Sequence, residues 1–426
     1  MSAPRPTELA QLAGAGLEVT ESPPGSGLPD GLALARPRSE EEVSVLMRLA
    51  TQHGWAVTVR GQGTKSAWGP DVERCDLVLD TTGLNQLVEH EPGDLICVAG
   101  AGMRLSELQE LTSRAHGYRQ RLMLDPPGSD AATLGGLVAT RAAGPLRTRY
   151  GTMRDLLLGA RFVLADGTIA KTGGKVVKNV AGYDLDKLLV GSLGTLAVVV
   201  EVALRLHPQA EARESVLLEG VDSATAAKFL IALRAAPAVP SVAEALWPEG
   251  AVLVQIDGTR DGAIRQAELV AELDPRARVL DLAEASYWEE VLRNRPWDRP
   301  GVVLGVSVPL SATRAVLDLV ADTAIQEHAV ALSLRGTIGC GELRVAASSD
   351  KVEGVRREVE RLGGQVEVHR AEPELRGLGS RPRDPLAGEL MAAVKQALDP
   401  GHILAPGRLE GLYQTAASPI AGAAGG

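Results

Sequence analysis

Cysteine is scarce in this 426-residue chain: Cys75, Cys97 and Cys340 are the only three. None stands in a CxxC pair. An odd, sparse set supports neither a disulfide scaffold nor the four-thiolate shell of an iron–sulfur cluster, and it fits a reduced, cytosolic compartment. The seven histidines are scattered without HxH or HExxH spacing, which argues against an autonomous zinc or iron site. Aromatic residues make up only 3% of the chain, so its core must be built from Ala, Val and Leu. No run of about 18 apolar residues occurs, so no membrane span is expected. The segment from Met1 to Arg38 has no basic start followed by an apolar stretch, and no signal peptide is read there. Positive charge is also in deficit. With 44 Lys and Arg against 54 Asp and Glu, the net charge is −10, which gives the chain no reason to seek nucleic acid or an anionic membrane surface.

What the chain has in quantity is glycine, 47 residues, within an ordinary globular balance of 45% hydrophobic and 23% charged residues. So many glycines mark places where backbone turns sharply or approaches something closely. The length predicts two or three domains. Met1–Arg36 reads as a loose leader. Ser39 and Glu42 have capping-box spacing, and Val43, Leu46, Met47 and Ala50 fall on one helical face. Strands are predicted at Ala56–Val59, Leu77–Leu79 and Leu95–Ala99, and at Leu156–Leu164 and Ile169–Lys171 around the hairpin signal Asp166-Gly167. A further strand is predicted at Ala197–Leu206. After Pro208, strand-like and helix-like pieces alternate twice, which suggests a second α+β domain with an antiparallel sheet and a duplicated ferredoxin-like unit. Pro373–Pro385 reads as a linker, followed by a helix over Leu386–Leu398 and an Ala/Gly-rich tail.

Three glycine-rich segments are candidates for a phosphate-bearing ligand. Gly61, Gln62, Gly63 and Thr64 follow the Ala56–Val59 strand, as a phosphate loop does. The motif is neither a Walker A loop nor a Rossmann fingerprint, since GxxxxGK[ST] is missing and Ser66 replaces the third glycine. A plain turn accounts for it equally well. The second segment runs from Asp125-Pro126-Pro127 through Gly128 and Ser129 to Thr133, Gly135 and Gly136. Here Gly-Gly serves either a ligand or close helix packing. The third spans Lys171–Asp184 and continues to Gly191, Leu193 and Gly194; its lysines are either diphosphate partners or merely solvated.

Taken in series, RGQGTKSAWG, DPPGSDAATLGGLVAT, RYGTMRDLLLGARFVLADG, GGKVVKNVAGYDLDKLLVGSLGTL and the late DPGHILAPGRL resemble the FAD-binding domain of the vanillyl-alcohol oxidase/PCMH superfamily. Within it they are most similar to the FAD-binding subunits of bacterial glycolate oxidase. The resemblance is strongest from Ala35 to Pro208, weaker across the second domain, and returns at Asp399–Leu409.

The resemblance implies an α+β fold: a PCMH-type FAD-binding domain of two α+β subdomains over residues 35–208, and an α+β cap domain with an antiparallel sheet over 209–370. The remaining boundaries are a flexible leader at 1–34, a segment returning to the FAD domain at 371–410 and a disordered tail at 411–426. It implies FAD held at its diphosphate by Gly61, Gln62, Gly63, Thr64, Gly128, Ser129, Thr133, Gly135 and Gly136. Tyr150, Gly151, Gly191, Leu193 and Gly194 would lie near the ribityl chain and flavin. Relatives with covalent flavin often carry a histidine in the first loop; Gln62 and Thr64 stand here, which implies non-covalent FAD. The implied reaction is oxidation of glycolate, or another small 2-hydroxy acid, to the 2-oxo acid. Electrons would pass through FAD to a separate iron–sulfur subunit, in a complex with a sister flavoprotein. The chain would be cytoplasmic, any membrane attachment being made through partners. Relatives that oxidise 2-hydroxy acids carry a histidine cluster where this chain has Arg335–Arg344, so no base is identified and the catalytic residues stay unknown. Arg335 or Arg344 are candidates for a carboxylate, or are surface residues. A self-sufficient 2-hydroxy acid dehydrogenase and a flavin-less scaffold are the competing readings.

Overall fold

The computed structural model describes residues 14, 16–22, 31–114, 117–128, 130–174, 184–247, 249–294, 302–321, 330–334, 340–347, 352–379 and 385–409. The first sheet has the order β1 (Glu18–Glu21), β2 (Ala33–Arg36), β4 (Leu77–Asp80), β3 (Val57–Arg60). β2 and β3 both lie parallel to β4, while β1 is antiparallel to β2. The helix Glu40–His53 joins β2 to β3. Its Ser39 cap accepts from Glu42 N–H, and its apolar face buries Val43, Leu46, Met47 and Ala50 among the first-sheet residues. The reading of Met1–Arg36 as a loose leader is corrected by β1 and β2. Ala33 and Ala35 alternate into that same core, so Glu18–Glu21 and Ala33–Arg36 are part of the sheet.

The second sheet is antiparallel, in the order β5 (Leu87–Glu91), β6 (Ile96–Gly100), β10 (Val198–Arg205), β8 (Leu157–Val163), β9 (Ile169–Gly173). Gly167, with φ 84°, makes the expected turn between β8 and β9. Two short strands, β7 (Gln120–Arg121) and β11 (His207–Pro208), pair beside it.

The third sheet has eight antiparallel strands: β15 (Arg278–Val279), β12 (Ala212–Leu218), β14 (Ala251–Gly258), β13 (Val242–Trp247), β17 (Val330–Leu334), β18 (Cys340–Ala347), β16 (Val302–Pro309), β19 (Gln365–Arg370). Numbering the strands within each half gives 4-1-3-2 and then 2-3-1-4. Each half is thus a ferredoxin-like βαββαβ unit, and the units meet through their second strands, β13 against β17. Helices Ser223–Ala235, Arg260–Ala271, Thr313–Ala321 and Val352–Arg361 cover one face and share a single apolar core with it. The opposite face packs Leu217, Val242 and Leu253 with Trp288 and Leu292 of helix Leu282–Asn294 and with Met123 and Leu146 from the first half of the chain. The sequence reading missed β13 and helix Leu282–Asn294.

Beyond the sheet, Pro373–Leu378 forms a 3-10 turn rather than a bare linker, held by Arg376 to Ala371 O and to the Asp71 carboxylate. Helix Pro385–Leu398 then leads back to the first sheet, where Leu404 bridges Val57. Lys395 fixes that return. Its fully buried ammonium donates to Thr195 O, Leu404 O and Asp399 Oδ2 at 2.6–2.9 Å.

Candidate functional site

Strand β3 ends at Arg60 and delivers the chain into the loop Gly61–Ser66. That loop, the helix start at Thr133–Gly136 and the turn Ser192–Gly194 surround a cavity of about 560 Å³. Of the residues singled out in the sequence, Gly61, Gln62, Gly63, Thr64, Thr133, Gly135, Gly136, Leu193 and Gly194 line it. Gly128, Tyr150, Gly151 and Gly191 do not, and Ser129 lies outside the described residues. Tyr150 packs against the core between the two halves and meets His207 edge-on at 4.9 Å. Gly151 caps helix Arg147–Tyr150 with φ 79°. Gly191 lines an adjoining cavity. Of the third segment's lysines, 175 and 178 lie outside the described residues.

The loops fit together too closely for side chains. A Cβ on Gly61 would sit 2.2 Å from Thr133 Oγ1, the oxygen that caps helix Leu134–Thr140 by accepting from Gly136 N–H. Gly63 has φ +73°, which L-residues rarely adopt. Among the described residues, no hydrogen bond within the protein uses the N–H groups of Gly61, Gln62, Gly63 or Thr64. The four residues line the cavity, which leaves these N–H groups available there as donors. In the second segment the N–H groups of Leu134, Gly135 and Gly136 are bonded within the protein. Leu134 N–H donates to Met103 O at 2.9 Å, Gly135 N–H to Ala101 O at 2.7 Å, and Gly136 N–H to Thr133. The helix start is stitched to the turn after β6, and a Cβ on Gly135 would lie 3.0 Å from Ala101 Cβ. Gly135 and Gly136 therefore give the cavity a close wall, not donors.

Two cations unremarked in the sequence complete this wall. Lys65 is 6% exposed; its ammonium donates to Pro127 O at 2.9 Å and lies 5.9 Å from the Trp68 ring centroid, and no carboxylate among the described residues pairs with it. Burial pushes it down to about 8. Arg408 is 8% exposed and donates to Ser66 O and Trp68 O, while its buried Nε has no partner among the described residues. Burial lowers it; the Asp71 charge opposes that shift and the Arg376 charge adds to it. Among the described residues, Asp71 is the cavity's only lining carboxylate, against Arg60, Lys65, Arg376 and Arg408. Buried cations without matching anions, beside free backbone donors, are a donor set suited to a diphosphate. Cys75 also lines the cavity. Burial raises its thiol, which donates to Leu77 O at 3.6 Å.

Helix Leu134–Thr140 links this cavity to two more. Thr140, its last residue, lines all three, and the other two measure about 280 and 90 Å³. The smaller ones lie between helix Leu134–Thr140 and the open face of β16 and β19. Their centre is a stack of Trp68 on His369, with centroids 3.9 Å apart and planes at 7°. His369 Nε2 is 3.6 Å from Glu367 Oε2, and Arg141 forms an ion pair with Glu367 Oε1. The Glu367 side chain is 56% exposed; such burial as it has would raise the carboxyl, but the His369 contact and the Arg141, His369 and Arg147 charges hold it down at about 2. No signal in the sequence joins Arg141 to Glu367 across 226 positions. The two arginines read as candidates for a carboxylate fare differently. Arg335 lies outside the described residues, and Arg344 stands on β18 in register with Gly305.

Residues 31–173 match the family described as FAD binding domain. A D-lactate dehydrogenase from Archaeoglobus fulgidus is 38% identical over 181 residues, covering 42% of this chain and 40% of that enzyme. The glycolate oxidase subunit GlcE of Escherichia coli is 27% identical over 359 residues, covering 83% of this chain and 92% of that protein. Among solved structures, an alkyldihydroxyacetonephosphate synthase superposes with a TM-score of 0.67 at 17% identity, covering 88% of this chain and 76% of that one, which is a likeness of fold. Its glycine-rich loops around one cationic cavity lie within or beside the part of the chain, residues 31–173, that is similar to the FAD binding domain family.

Proposed function

We propose that this chain is an FAD-dependent oxidoreductase subunit that oxidises glycolate, or a similar small 2-hydroxy acid, to the 2-oxo acid. The observation that carries the reading is the 560 Å³ cavity, where unpaired loop donors and the buried cations Lys65 and Arg408 converge on one wall. In it, Gly61–Thr64, Lys65 and Arg408 would hold the diphosphate, and the Ser192–Gly194 turn and Thr140 would lie toward the flavin. Bound FAD supplies a two-electron, hydride-accepting centre. The names of the relatives support the substrate class. FAD is held non-covalently: no histidine lines the cavity among the described residues, and Cys75 is kept as a thiol by burial, a poor nucleophile.

The change from the first two sheets to the third supports dividing the chain into an FAD domain at 35–208 and a cap at 209–370. Electrons leave to an iron–sulfur subunit, in a complex that also holds a sister flavoprotein. Among the described residues no group of His, Cys, Asp and Glu could hold a metal, and no helix is long and apolar enough to cross a membrane. Purification from native cells with flavin and iron analysis tests this reading. It expects one FAD per chain, bleached anaerobically by glycolate or D-lactate, and co-purifying iron. A folded chain with no affinity for FAD refutes it. A second reading, a dehydrogenase that works without partners, is favoured by the titratable cluster around His369. Flavin reduction by the chain alone is its measure.

A further inference from the structure

Strand β19 reads Gln365-Val366-Glu367-Val368-His369-Arg370, and its alternation breaks at the last pair. Val366 and Val368 face the helix-covered core, as does Ala371. The register against β16 slips at that point: Leu304 pairs with Val368, but Val303 pairs with Arg370. His369 is therefore the extra residue of a β-bulge, a device that re-aims a side chain and is enriched beside active sites. The bulge turns the imidazole onto the indole of Trp68. The ring also abuts Gly305 of β16, where an added Cβ would stand 2.5 Å from the imidazole Cε1. The ring is thus fitted against an indole and a glycine backbone. Among the described residues, the charged groups lining its cavities are Glu367 from its own strand, Arg141 and Arg147 from the FAD-binding half, and Arg376 from the 3-10 turn, which is paired with Asp71; Lys65 lies beyond the indole. Cations outnumber carboxylates there, and the smallest cavity, about 90 Å³, has the liquid volume of about three waters. That suits a two- or three-carbon acid.

We propose that this cavity seats the carboxylate-bearing 2-hydroxy acid, with Arg141 and Arg147 taking its carboxylate and His369, oriented by Glu367, accepting its hydroxyl proton. The inference rests on FAD occupying the adjoining cavity. Bound FAD would supply the two-electron, hydride-accepting chemistry that oxidation at C2 requires. His369 would take the hydroxyl proton as the C–O bond becomes C=O, so that the acid's two electrons and one proton are both accounted for. Glu367, held ionised, balances the imidazolium that results.

A purely structural role, in which His369 only pins the two halves together, makes different predictions. The test uses the full FAD-loaded chain, with any partners that co-purify. Oxalate, which cannot be oxidised in this way, probes the anion site by calorimetry; glycolate and D-lactate probe flavin reduction from pH 5 to 9. His369→Phe keeps an aromatic stack on Trp68 but has no proton acceptor. It is expected to keep FAD and to bind oxalate within about threefold of wild type, while reduction slows by roughly 100-fold or more. Arg147→Gln is expected to weaken oxalate binding roughly tenfold or more. Glu367→Gln is expected to move the acid limb of the reduction profile to lower pH, because the imidazolium loses its counter-charge. Reduction by His369→Phe within threefold of wild type overturns the proton-accepting role, and unchanged oxalate binding in Arg147→Gln overturns the anion site. If oxalate binds in an Arg147-dependent way while neither acid bleaches wild-type flavin, the substrate reading falls and the anion site stands.

Discussion

Lys65 carries a cost that FAD should relieve. In the flavin-free fold its ammonium is 6% exposed, has no carboxylate partner among the described residues and is pushed by burial from an ordinary value near 10.4 to about 8. At 1.36 kcal/mol for each tenfold change in proton affinity, keeping this group charged at pH 7 destabilises the flavin-free protein by about 3 kcal/mol. The sign follows from proton counts. Below pH 8 both the folded and unfolded chains hold the proton, and the full penalty applies. Between about 8 and 10.5 the unfolded chain still holds it while the folded chain has released it, so stability rises with pH. Lys65→Met removes the charge and keeps the buried stem. Flavin-stripped Lys65→Met is therefore expected to be more stable than wild type at pH 7 by about 2–3 kcal/mol, with the difference shrinking to near zero by about pH 10.5. FAD binding should change in the opposite direction, weakening by roughly 10- to 100-fold, the worth of a charge-assisted hydrogen bond to a phosphate oxygen. Urea unfolding of both stripped proteins at pH 7 and pH 10, with flavin fluorescence titrations, measures both. A stripped variant no more stable than wild type at pH 7, with unchanged FAD affinity, would refute the assignment of Lys65 to the diphosphate wall.

Gly61→Ala places a methyl 2.2 Å from Thr133 Oγ1, which either dislodges the loop or breaks the Thr133 cap at about 1 kcal/mol; flavin content after purification should fall, and full occupancy would mean that the loop does not touch the cofactor. Gly135→Val collides with Ala101 on the strand side, so its loss of FAD should come with lost thermal stability, unlike that of Lys65→Met. Lys395→Met leaves Asp399 buried without its cation, which is expected to cost about 3–5 kcal/mol in chemical unfolding. Acid precipitation should release all flavin into the supernatant; colour left in the pellet would point to a covalent bond, with Cys75 the first residue to replace.

The extent to which the sequence was legible follows the range of the interactions. Helix Glu40–His53 announces itself because its cap and apolar stripe are local, and Ser39, Glu42 and Val43–Ala50 suffice to place it. The duplicated ferredoxin-like unit shows for the same reason, since each β-α-β round has its own periodicity. The short β1 was missed because a four-residue strand draws its stability from pairing with β2, not from its own pattern. Gly135 and Gly136 stayed open between a ligand and close packing, because a glycine pair looks alike whether its N–H groups face a ligand or another turn; the position of Ala101 and Thr133 shows those N–H groups bonded within the protein.

Composition and local motif order by themselves determined an α+β fold and three glycine-rich candidate loops, and left too few cysteines for a four-thiolate cluster. Tertiary structure decided which donors remain unpaired, which cations are stripped of water without a carboxylate, and that Trp68, Arg141, Gly305, Glu367 and His369 meet in one cleft. The physical reason is that desolvation and charge pairing depend on what lies within a few ångströms in space, and residues more than 200 positions apart become neighbours only when the sheets pack.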